Sequence, residues 1–386
     1  MKRIPLILAL AATFVLARGA AAKDGGGFIV QLGNDTTSVE NYVRDAARIE
    51  VDQVGRAPRV IQRHIVYELK DGVIQHGTVV ATAAGSTTPL QTVDLTATAD
   101  SLLVDVKSGD KTTPIHVAAP KGTLVVLGSS PWVSYELLTM RLAKQKTDKL
   151  ETPMYLAGAT SINHATVSRL GADSVSISND HGDVYHARVD KAGLILGVAP
   201  ISGTQKFGAT RVATVDVPGY TANFAAREQS GAGLGVLSPR DSVKVATAGA
   251  NLWIDYGRPG KRGRQVFGGI VPYGEVWRTG ANAATQFRTD RDLDFGGTTV
   301  PAGFYTLWTI PTATGWKLVI NSQTGQWGTE HDAKKDLYTI PMTVSAQPAV
   351  TERFTIVVQP NDTGGVITMT WDTTQASVPF TVKAKS

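Results

Sequence analysis

The sequence predicts an all-β protein: an N-terminal curved antiparallel sheet or half-barrel with one packed helix, followed by a C-terminal β-sandwich. Short β-type runs alternate with turn residues along most of the chain. Only one segment has convincing helical periodicity, and a Gly- and Ala-rich stretch separates two halves. With 386 residues, the chain is long enough for two domains of ordinary size.

The first 22 residues have the three parts of a secretory signal peptide. Lys2 and Arg3 supply a positive start, residues 4–17 are apolar, and Ala20-Ala21-Ala22 is typical of a cleavage site. The apolar run is shorter than the roughly 20 residues that a membrane-spanning helix needs. We therefore expect a periplasmic or secreted protein, cleaved near Ala22, with no transmembrane segment in the mature chain.

The composition restricts the possible chemistry. The chain has no cysteine, which excludes disulfides, thiol catalysis and cysteine-ligated zinc. Its formal charge of +5 falls almost to balance once the predicted signal peptide is removed, so no nucleic-acid partner is expected. The SGAGLG stretch, residues 230–235, lacks the lysine and the flanking strand and helix of a phosphate loop. We predict no cofactor, and the sequence leaves the oligomeric state open.

The N-terminal domain is predicted to span residues 23–215. Its clearest β-type runs are 59–69, 93–106 and 123–127, and hairpin turns follow at 179–182 and 190–193. Each of these turns ends in a glycine, which supplies the positive φ that such loops require.

The one helix is predicted in SSPWVSYELLTMRLAKQ, residues 129–145. Ser130 is placed to cap it, and Pro131 suits the first helical position. The apolar stripe that should pack on the sheet consists of Val133, Leu137, Leu138, Met140 and Leu142.

A change in composition predicts a Gly/Ala-rich linker at 216–237 and a C-terminal domain at 238–386. Six of the seven tryptophans lie in this second domain. About seven short strands with intervening turns favour a β-sandwich; they are predicted at 252–256, 304–310, 316–321, 337–344, 353–358, 366–372 and 378–382.

A long irregular segment interrupts the second domain at residues 254–287, IDYGRPGKRGRQVFGGIVPYGEVWRTGANAATQF. It has enough apolar side chains to form an ordered loop, and ordered loops of this length usually carry function. Together with SPRDSVKVA, VPAGFYTLWTIP and Gln326-Trp327-Gly328, it resembles a secreted bacterial family called domain of unknown function 2911, from about Leu237 to the C-terminus. The resemblance implies a β-rich extracytoplasmic domain without an established activity.

No catalytic residue can be carried over from that family. The chain also departs from it, because Thr329-Glu330 follows Trp327-Gly328 where related sequences tend to have a Tyr-Asp pair. The N-terminal half is similar only at the level of fold to the half-barrel lipid carriers of the bacterial envelope.

Arg278 and Asn282 are the leading candidates for ligand contact. An arginine fork binds a carboxylate or phosphate with two hydrogen bonds, and an asparagine amide both donates and accepts. Alternatively, Arg278 ties the loop to Asp255 or Glu275, and Asn282 satisfies backbone groups in its own turn.

Aromatic and basic side chains extend this candidate site. Tyr273, in a Pro-Tyr-Gly bend, and Trp277 and Trp327, outside the regular strands, are predicted surface contacts. Arg258 begins a basic cluster that either faces an anionic ligand or is a solvated turn; the other members of the cluster are Lys261, Arg262 and Arg264.

One polar cluster in the N-terminal half suggests a metal. His181, Asp183 and His186 combine imidazole and carboxylate, which suit zinc or manganese. The odd spacing of the two histidines places them on opposite faces of a plain strand, so we predict no metal site.

A second cluster suggests acid-base catalysis. His331, with Asp332 and Asp336, can supply a base and its orienting carboxylates. A serine nucleophile on a Gly-x-Ser-x-Gly turn is missing from the sequence, and whether the protein is an enzyme stays undecided.

The function expected from these features is that of a non-catalytic binding protein for an envelope component, a lipid or a glycan, with residues 256–285 as the contact surface. One alternative is a hydrolase that acts on envelope material through carboxylates or His331. Another is a structural interaction protein in an extracytoplasmic assembly, with an envelope protein as its partner.

Overall fold

The computed structural model describes residues 23–129 and 131–384, which form two β-sheets with few helices and confirm the all-β fold. The predicted signal peptide with its cleavage site, and the predicted helix cap Ser130, lie outside these residues. Within the described part of the chain, no helix has the length and apolar character needed to span a membrane.

The first fifteen strands form one N-terminal sheet whose central pair is β1 and β15. On one side of this pair the sheet continues from β2 to β8, and on the other side it continues from β14 down to β9. All neighbours are antiparallel except β9 and β10. The strands are β1 (Asp24–Leu32), β2 (Asp35–Arg44), β3 (Arg48–Gly55), β4 (Ile61–Lys70), β5 (Val73–Ala83), β6 (Pro89–Ala97), β7 (Ser101–Ser108), β8 (Lys111–Ala118), β9 (Leu124–Val126), β10 (Lys149–Leu156), β11 (Asn163–Arg169), β12 (Ser174–Asn179), β13 (Val184–Val189), β14 (Ile195–Ser202) and β15 (Gly208–Val212).

The predicted helix is α1 (Trp132–Gln145), and it shares one continuous core with strands from across the N-terminal sheet. The sheet therefore curves around the helix. Val133, Leu138 and Leu142 are buried as predicted, whereas Leu137 and Met140 are only partly buried. Pro131 is the N-cap residue rather than the first residue of the helix.

A charged residue, Glu136, occupies the buried face of α1. Its Oε1 accepts hydrogen bonds from Tyr42 Oη at 3.0 Å and Arg44 Nη1 at 2.7 Å. Its Oε2 accepts from the backbone N of Ile195 at 2.8 Å and from Arg211 Nη1 at 2.6 Å. The sequence pattern did not place this carboxylate in the core. The network provides the partners that a buried charge requires to be stable.

The segment predicted as a linker contains a second helix, α2 (Val217–Gln229). Asp216 caps it by accepting a hydrogen bond from the backbone N of Gly219 at 3.0 Å. Val217 and Phe224 pack on Val39 of β2, on the face opposite α1, because side chains of a strand alternate between its two faces. The sequence pattern did not predict α2, since Pro218-Gly219 near its start is typical of a turn and few of its side chains are buried.

The C-terminal sandwich follows, and its strands have the spatial order β16-β17-β18-β21-β22-β23-β24-β19-β20. They are β16 (Arg240–Thr247), β17 (Ala250–Gly257), β18 (Thr285–Thr289), β19 (Leu293–Phe295), β20 (Thr298–Val300), β21 (Gly303–Pro311), β22 (Trp316–Asn321), β23 (Asp336–Asn361) and β24 (Gly364–Val382), with a short 3-10 helix at Ala333–Lys335.

Strands β23 and β24 differ from the prediction, because each is a single long strand where two short runs were expected. Their pairing register shifts between Ala346 and Thr355, and this interruption divides the apolar pattern of the sequence into separate runs. Phe354, Ile356 and Trp371 of the long strands pack in one core with Tyr256 of β17.

The two halves of the chain contact each other through polar groups. The guanidinium of Arg262 binds Asp35 Oδ2 at 2.5 Å, and the backbone N of Asn34 donates to the backbone O of Arg262 at 3.0 Å. Thr329 Oγ1 donates to the backbone O of His181 at 3.2 Å. The two Arg262 contacts hold the long loop of the sandwich, residues 258–284, against the N-terminal sheet, and Thr329 adds a contact from outside this loop.

Candidate functional site

The long loop and the N-terminal sheet enclose a cleft of about 350 Å³, called the interdomain cleft below. Residues 204–207, which connect β14 to β15, and Leu32 line it on the N-terminal side. Trp277, Arg278 and residues 280–282 line it on the opposite side, and residues 236–238 also line it. The loop singled out from the sequence thus faces a surface that lies far from it in the chain.

Much of the wall of the interdomain cleft is apolar. Trp277 and Trp371 stack with their ring centroids 5.9 Å apart, and both line the cleft. Phe207, Leu237 and Ile270 contribute further apolar surface. A nonpolar part of a ligand would be removed from water here, which contributes about 25 cal/mol per Å² of buried apolar surface.

Arg278 supplies a positive charge to this wall. Its Nη1 donates to the backbone O of Gly328 and its Nη2 to that of Gly203, both at 3.3 Å. Its Nε is buried and has no acceptor among the described residues. Burial lowers the pKa of Arg278 to about 10, partly opposed by the charge of Asp183. The guanidinium is therefore desolvated without a carboxylate bound to it in the described structure.

Asp183, the carboxylate whose charge acts on Arg278, is itself fully engaged in local structure. It is buried, and its Oδ1 accepts from the backbone N of Thr204 at 2.8 Å and of Gln205 at 3.0 Å. These bonds fix residues 204–207, which form the N-terminal wall of the interdomain cleft. Asp183 thus shapes the cleft and makes no hydrogen bond to Arg278, whose Nη1 and Nη2 donate to backbone carbonyls.

Lys206 and Arg264 place two further cations in the interdomain cleft. Burial lowers the pKa of Lys206, and the positive charge of Arg278 lowers it further. Burial, followed by the charge of Arg262, lowers the pKa of Arg264 to about 10. Both side chains donate to backbone carbonyls, Lys206 Nζ to Ile201 and Arg264 to Gly260. A bound anion would relieve the repulsion among these cations.

The backbone between Trp277 and Asn282 is strained. Thr279 and Asn282 have φ values of 52° and 62°, in the left-handed region that a β-branched residue such as threonine rarely adopts. Thr285 Oγ1 donates to the backbone O of Thr279 at 2.7 Å and helps to hold this conformation. Strain of this kind concentrates at functional sites, and here it places Arg278 and Asn282 on the cleft wall.

The structure brings together three of the predicted ligand-binding residues: Trp277, Arg278 and Asn282 line the interdomain cleft. Trp277 is only 8% exposed and belongs mostly to the aromatic core. Asn282 suits its left-handed backbone, because asparagine tolerates that conformation well. The tie between Arg278 and Asp255 considered from the sequence is not formed, since Asp255 binds Arg240 instead.

The other three predicted ligand-binding residues do not line the interdomain cleft. Arg258 donates to Asp241 at 3.0 Å and to Thr355 Oγ1 at 2.9 Å, so it joins strands of the sandwich. Tyr273 and Trp327 are 47% and 39% exposed and lie elsewhere on the surface.

Like Arg258, two further residues of the predicted basic cluster are neutralised by ion pairs rather than facing a ligand. Lys261 binds Asp372, and Arg262 binds Asp35, each at 2.5 Å. Only Arg264, which binds backbone carbonyls, extends this cluster into the interdomain cleft.

The residues considered for a metal site serve other purposes or point to solvent. Asp183 is buried beneath residues 204–207, whereas His181 and His186 are exposed. Residues 23–129 and 131–384 contain no group of three histidine, aspartate or glutamate side chains arranged to hold a metal ion.

His331 and Asp336 form the pair expected from the sequence, with Nε2 and Oδ1 2.9 Å apart. The His331 ring lies 4.7 Å from that of Trp308, and Asn321 also donates to Asp336 Oδ1 at 2.7 Å. Asp332 caps the 3-10 helix instead of orienting the histidine. In the described structure, no hydroxyl group is hydrogen-bonded to the His331 ring, so a nucleophile is missing from this pair.

Sequence reasoning missed Lys206 and its neighbours in residues 204–207. Lysine after a Gly-Thr-Gln turn is ordinary in a surface loop, and no sequence signal connects it to Arg278. Only the packing of the two halves brings these residues to one cleft.

Comparison with known proteins shows that the C-terminal part of the chain is similar to a family of unknown function. Residues 238–380 match the family model described as "Protein of unknown function (DUF2911)", which confirms the resemblance seen in the sequence. No curated protein matches the chain. A crystal structure of a beta-barrel-like protein of domain of unknown function DUF1849 from Brucella abortus is similar with a TM-score of 0.33 and 12% sequence identity, covering 49% of this chain and 94% of that one.

Proposed function

We propose that this protein binds an anionic ligand with an apolar part in the interdomain cleft. The observation that carries this proposal is Arg278, a desolvated guanidinium with a buried Nε that has no acceptor among the described residues. A carboxylate, sulfonate or phosphate oxygen would accept from this group and offset its desolvation.

The charge distribution of the cleft supports an anion in particular. Lys206, Arg264 and Arg278 line the cleft, and none of the described residues that line it is acidic. A cation would meet three like charges there, whereas an anion would be attracted by all three. The apolar surface of Phe207, Leu237 and Ile270 beside these charges suits a ligand that is amphiphilic rather than fully polar.

This proposal narrows the expected ligand from a lipid or glycan to an acidic amphiphile. A glycan site would present exposed aromatic faces for sugar stacking, but Trp277 and Trp371 are 8% and 2% exposed. The proposal keeps the extracytoplasmic location that the first 22 residues predict, so an acidic lipid or another acidic apolar molecule of the envelope is the expected ligand.

Native mass spectrometry of the purified protein tests the proposal. We expect a co-purified acidic mass on the wild type that is absent from Arg278→Met, a variant with a neutral side chain of similar length. Arg288→Met is the matched control, because Arg288 is an exposed arginine of β18 outside the cleft. Retention of the same mass by Arg278→Met would place the ligand elsewhere.

A further inference from the structure

A second cavity, of about 210 Å³, lies at the start of α1 and is called the aromatic cavity below. Trp132 and Tyr135 of α1, Tyr185 of β13 and Phe207 form its aromatic walls. The Trp132 ring lies 5.4 Å from Tyr135 and 5.2 Å from Tyr185, centroid to centroid. This cavity is distinct from the interdomain cleft, although Gln205 and Phe207 contribute to the walls of both.

Trp132 carries an unused hydrogen-bond donor. The residue is 3% exposed, and its indole Nε1 is buried with no acceptor among the described residues. Indole nitrogen can only donate, and a buried donor that is left unpaired costs about 1–3 kcal/mol. Phenylalanine would fill an apolar wall without this cost. A ligand that accepts a hydrogen bond from the indole would remove the cost in the case of Trp132.

Two other polar side chains of the aromatic cavity are engaged in local structure, whereas the Tyr135 hydroxyl, the His181 ring and the Gln205 amide make no hydrogen bond to the described residues. Tyr185 Oη donates to the backbone O of Gln205 at 3.1 Å. Asn179 Oδ1 accepts from the backbone N of His181 at 3.0 Å and of Asp183 at 3.2 Å. No aspartate, glutamate, lysine or arginine is found among the described residues that line the cavity. The cavity therefore suits an uncharged ligand.

We propose that the aromatic cavity is a binding site for an uncharged, flat molecule or group that carries a carbonyl oxygen. The aromatic walls contact the ring, and Trp132 Nε1 donates a hydrogen bond to the oxygen. Binding in the aromatic cavity does not depend on the interdomain cleft, because Arg278 and Lys206 do not line the aromatic cavity.

Acetophenone and ethylbenzene test this inference, since they are similar in size and differ in the carbonyl oxygen. With protein labelled with ¹⁵N at the tryptophan indoles, we expect acetophenone to shift the Trp132 Nε1–H resonance and ethylbenzene to leave it nearly unchanged. Acetophenone should also bind roughly fivefold more tightly, as expected for one neutral hydrogen bond.

Two variants complete the test. In Trp132→Phe the affinities of the two probes should become about equal, because the donor is lost and the aromatic wall is kept. In Ala157→Leu, a substitution at an exposed residue on the wall of the cavity, both probes should bind less tightly. If Trp132→Phe does not fold, Ala157→Leu still tests whether the probes bind in the aromatic cavity, because it keeps the native Trp132.

The inference would be overturned if acetophenone did not move the Trp132 resonance in the wild type. It would also be overturned if Trp132→Phe kept the preference for acetophenone, or if Ala157→Leu left binding unchanged. None of these outcomes tests anion binding in the interdomain cleft, which is tested with Arg278→Met.

Discussion

At the scale of single residues, the structure separates charges that stabilise the fold from charges that are free to bind. Glu136 accepts hydrogen bonds from Arg44 and Arg211 deep in the N-terminal core, and Asp35 binds Arg262 between the two halves. Arg278 has only backbone carbonyls as partners. A partly desolvated charge that lacks a carboxylate partner is costly for stability, and such groups cluster at functional sites.

Substitution of Arg278 should therefore affect stability and binding in opposite directions. We expect Arg278→Met to leave the free energy of unfolding of the ligand-free protein unchanged or to raise it by about 1 kcal/mol, because a desolvated charge is removed. Urea denaturation measures this difference. A loss of more than about 2 kcal/mol would show that Arg278 is needed for the fold and would contradict its assignment to ligand binding.

Burial of Glu40 should make the free energy of unfolding depend on pH. Burial raises its pKa from 4.5 to about 8, although hydrogen bonds from Val133 and Gln53 partly oppose this. The folded state thus keeps Glu40 protonated while the unfolded chain ionises it. The contribution of Glu40 to the free energy of unfolding is complete below pH 4.5 and is lost as the pH rises towards 8.

Glu40→Gln should remove this pH dependence, because glutamine is neutral at every pH. Relative to the variant, the free energy of unfolding of the wild type should fall by about 3 kcal/mol between pH 5 and pH 7.5. Denaturation curves at a series of pH values give this difference. Parallel pH profiles for the two proteins would mean that Glu40 is ionised in the folded state.

At the scale of elements, sequence patterns predicted strands well where the apolar alternation was unbroken. Strand β22 (Trp316–Asn321) has the predicted bounds, and α1 was recognised from its apolar stripe. Helix α2 and the continuity of β23 were missed. Both failures have a physical reason: α2 is held by tertiary packing of few side chains, and β23 is interrupted by a shift of register.

The docking of α2 rests mainly on one side chain. Phe224 is 3% exposed, packs in the small core that includes Val39 and Val54, and lies under the Arg56 guanidinium, 4.9 Å from its ring centroid. We expect Phe224→Ala to lower the free energy of unfolding by about 3 kcal/mol, the usual cost of such a truncation. Gln229→Ala, at an exposed end of the same helix, is the control.

Chemical denaturation followed by circular dichroism measures both variants. If Phe224→Ala cost no more than Gln229→Ala, α2 would not be docked on the N-terminal sheet in solution. The segment 216–237 would then behave as the flexible linker that its composition predicts.

At the scale of the whole molecule, the candidate site exists only because two halves meet. The sequence identified Arg278 and Asn282 from the irregular loop around them, since Gly, Pro and polar residues stood out within regular strands. It could not pair them with Lys206 or Phe207, because these residues lie in a loop of the N-terminal half and no local pattern connects them. Contacts between distant segments are what the sequence alone did not predict.

The junction of the two halves depends on Asp35. Its carboxylate binds Arg262 at 2.5 Å and Arg56 at 3.4 Å, and both arginine side chains are at least nine-tenths buried. We expect Asp35→Ala to lower the unfolding temperature and to separate the melting of the two halves, because two buried cations lose their partner. Differential scanning calorimetry distinguishes one transition from two.

Asp110→Ala is the control for this experiment, because Asp110 is an exposed residue in the turn between β7 and β8. A single transition at the wild-type temperature in Asp35→Ala would show that this ion pair does not couple the two halves. The cleft would then have to be held by the remaining backbone contacts, such as that between Asn34 and Arg262.

The central claim is that the interdomain cleft recognises negative charge through Arg278. Two fluorescent probes test it most directly: 8-anilinonaphthalene-1-sulfonate and N-phenyl-1-naphthylamine share one aromatic skeleton and differ in the sulfonate. We predict that the wild type and Arg288→Met bind the sulfonate at least about tenfold more tightly than the neutral probe, the value of one charged hydrogen bond. In Arg278→Met the two affinities should become nearly equal; an unchanged preference for the sulfonate in that variant would contradict the claim.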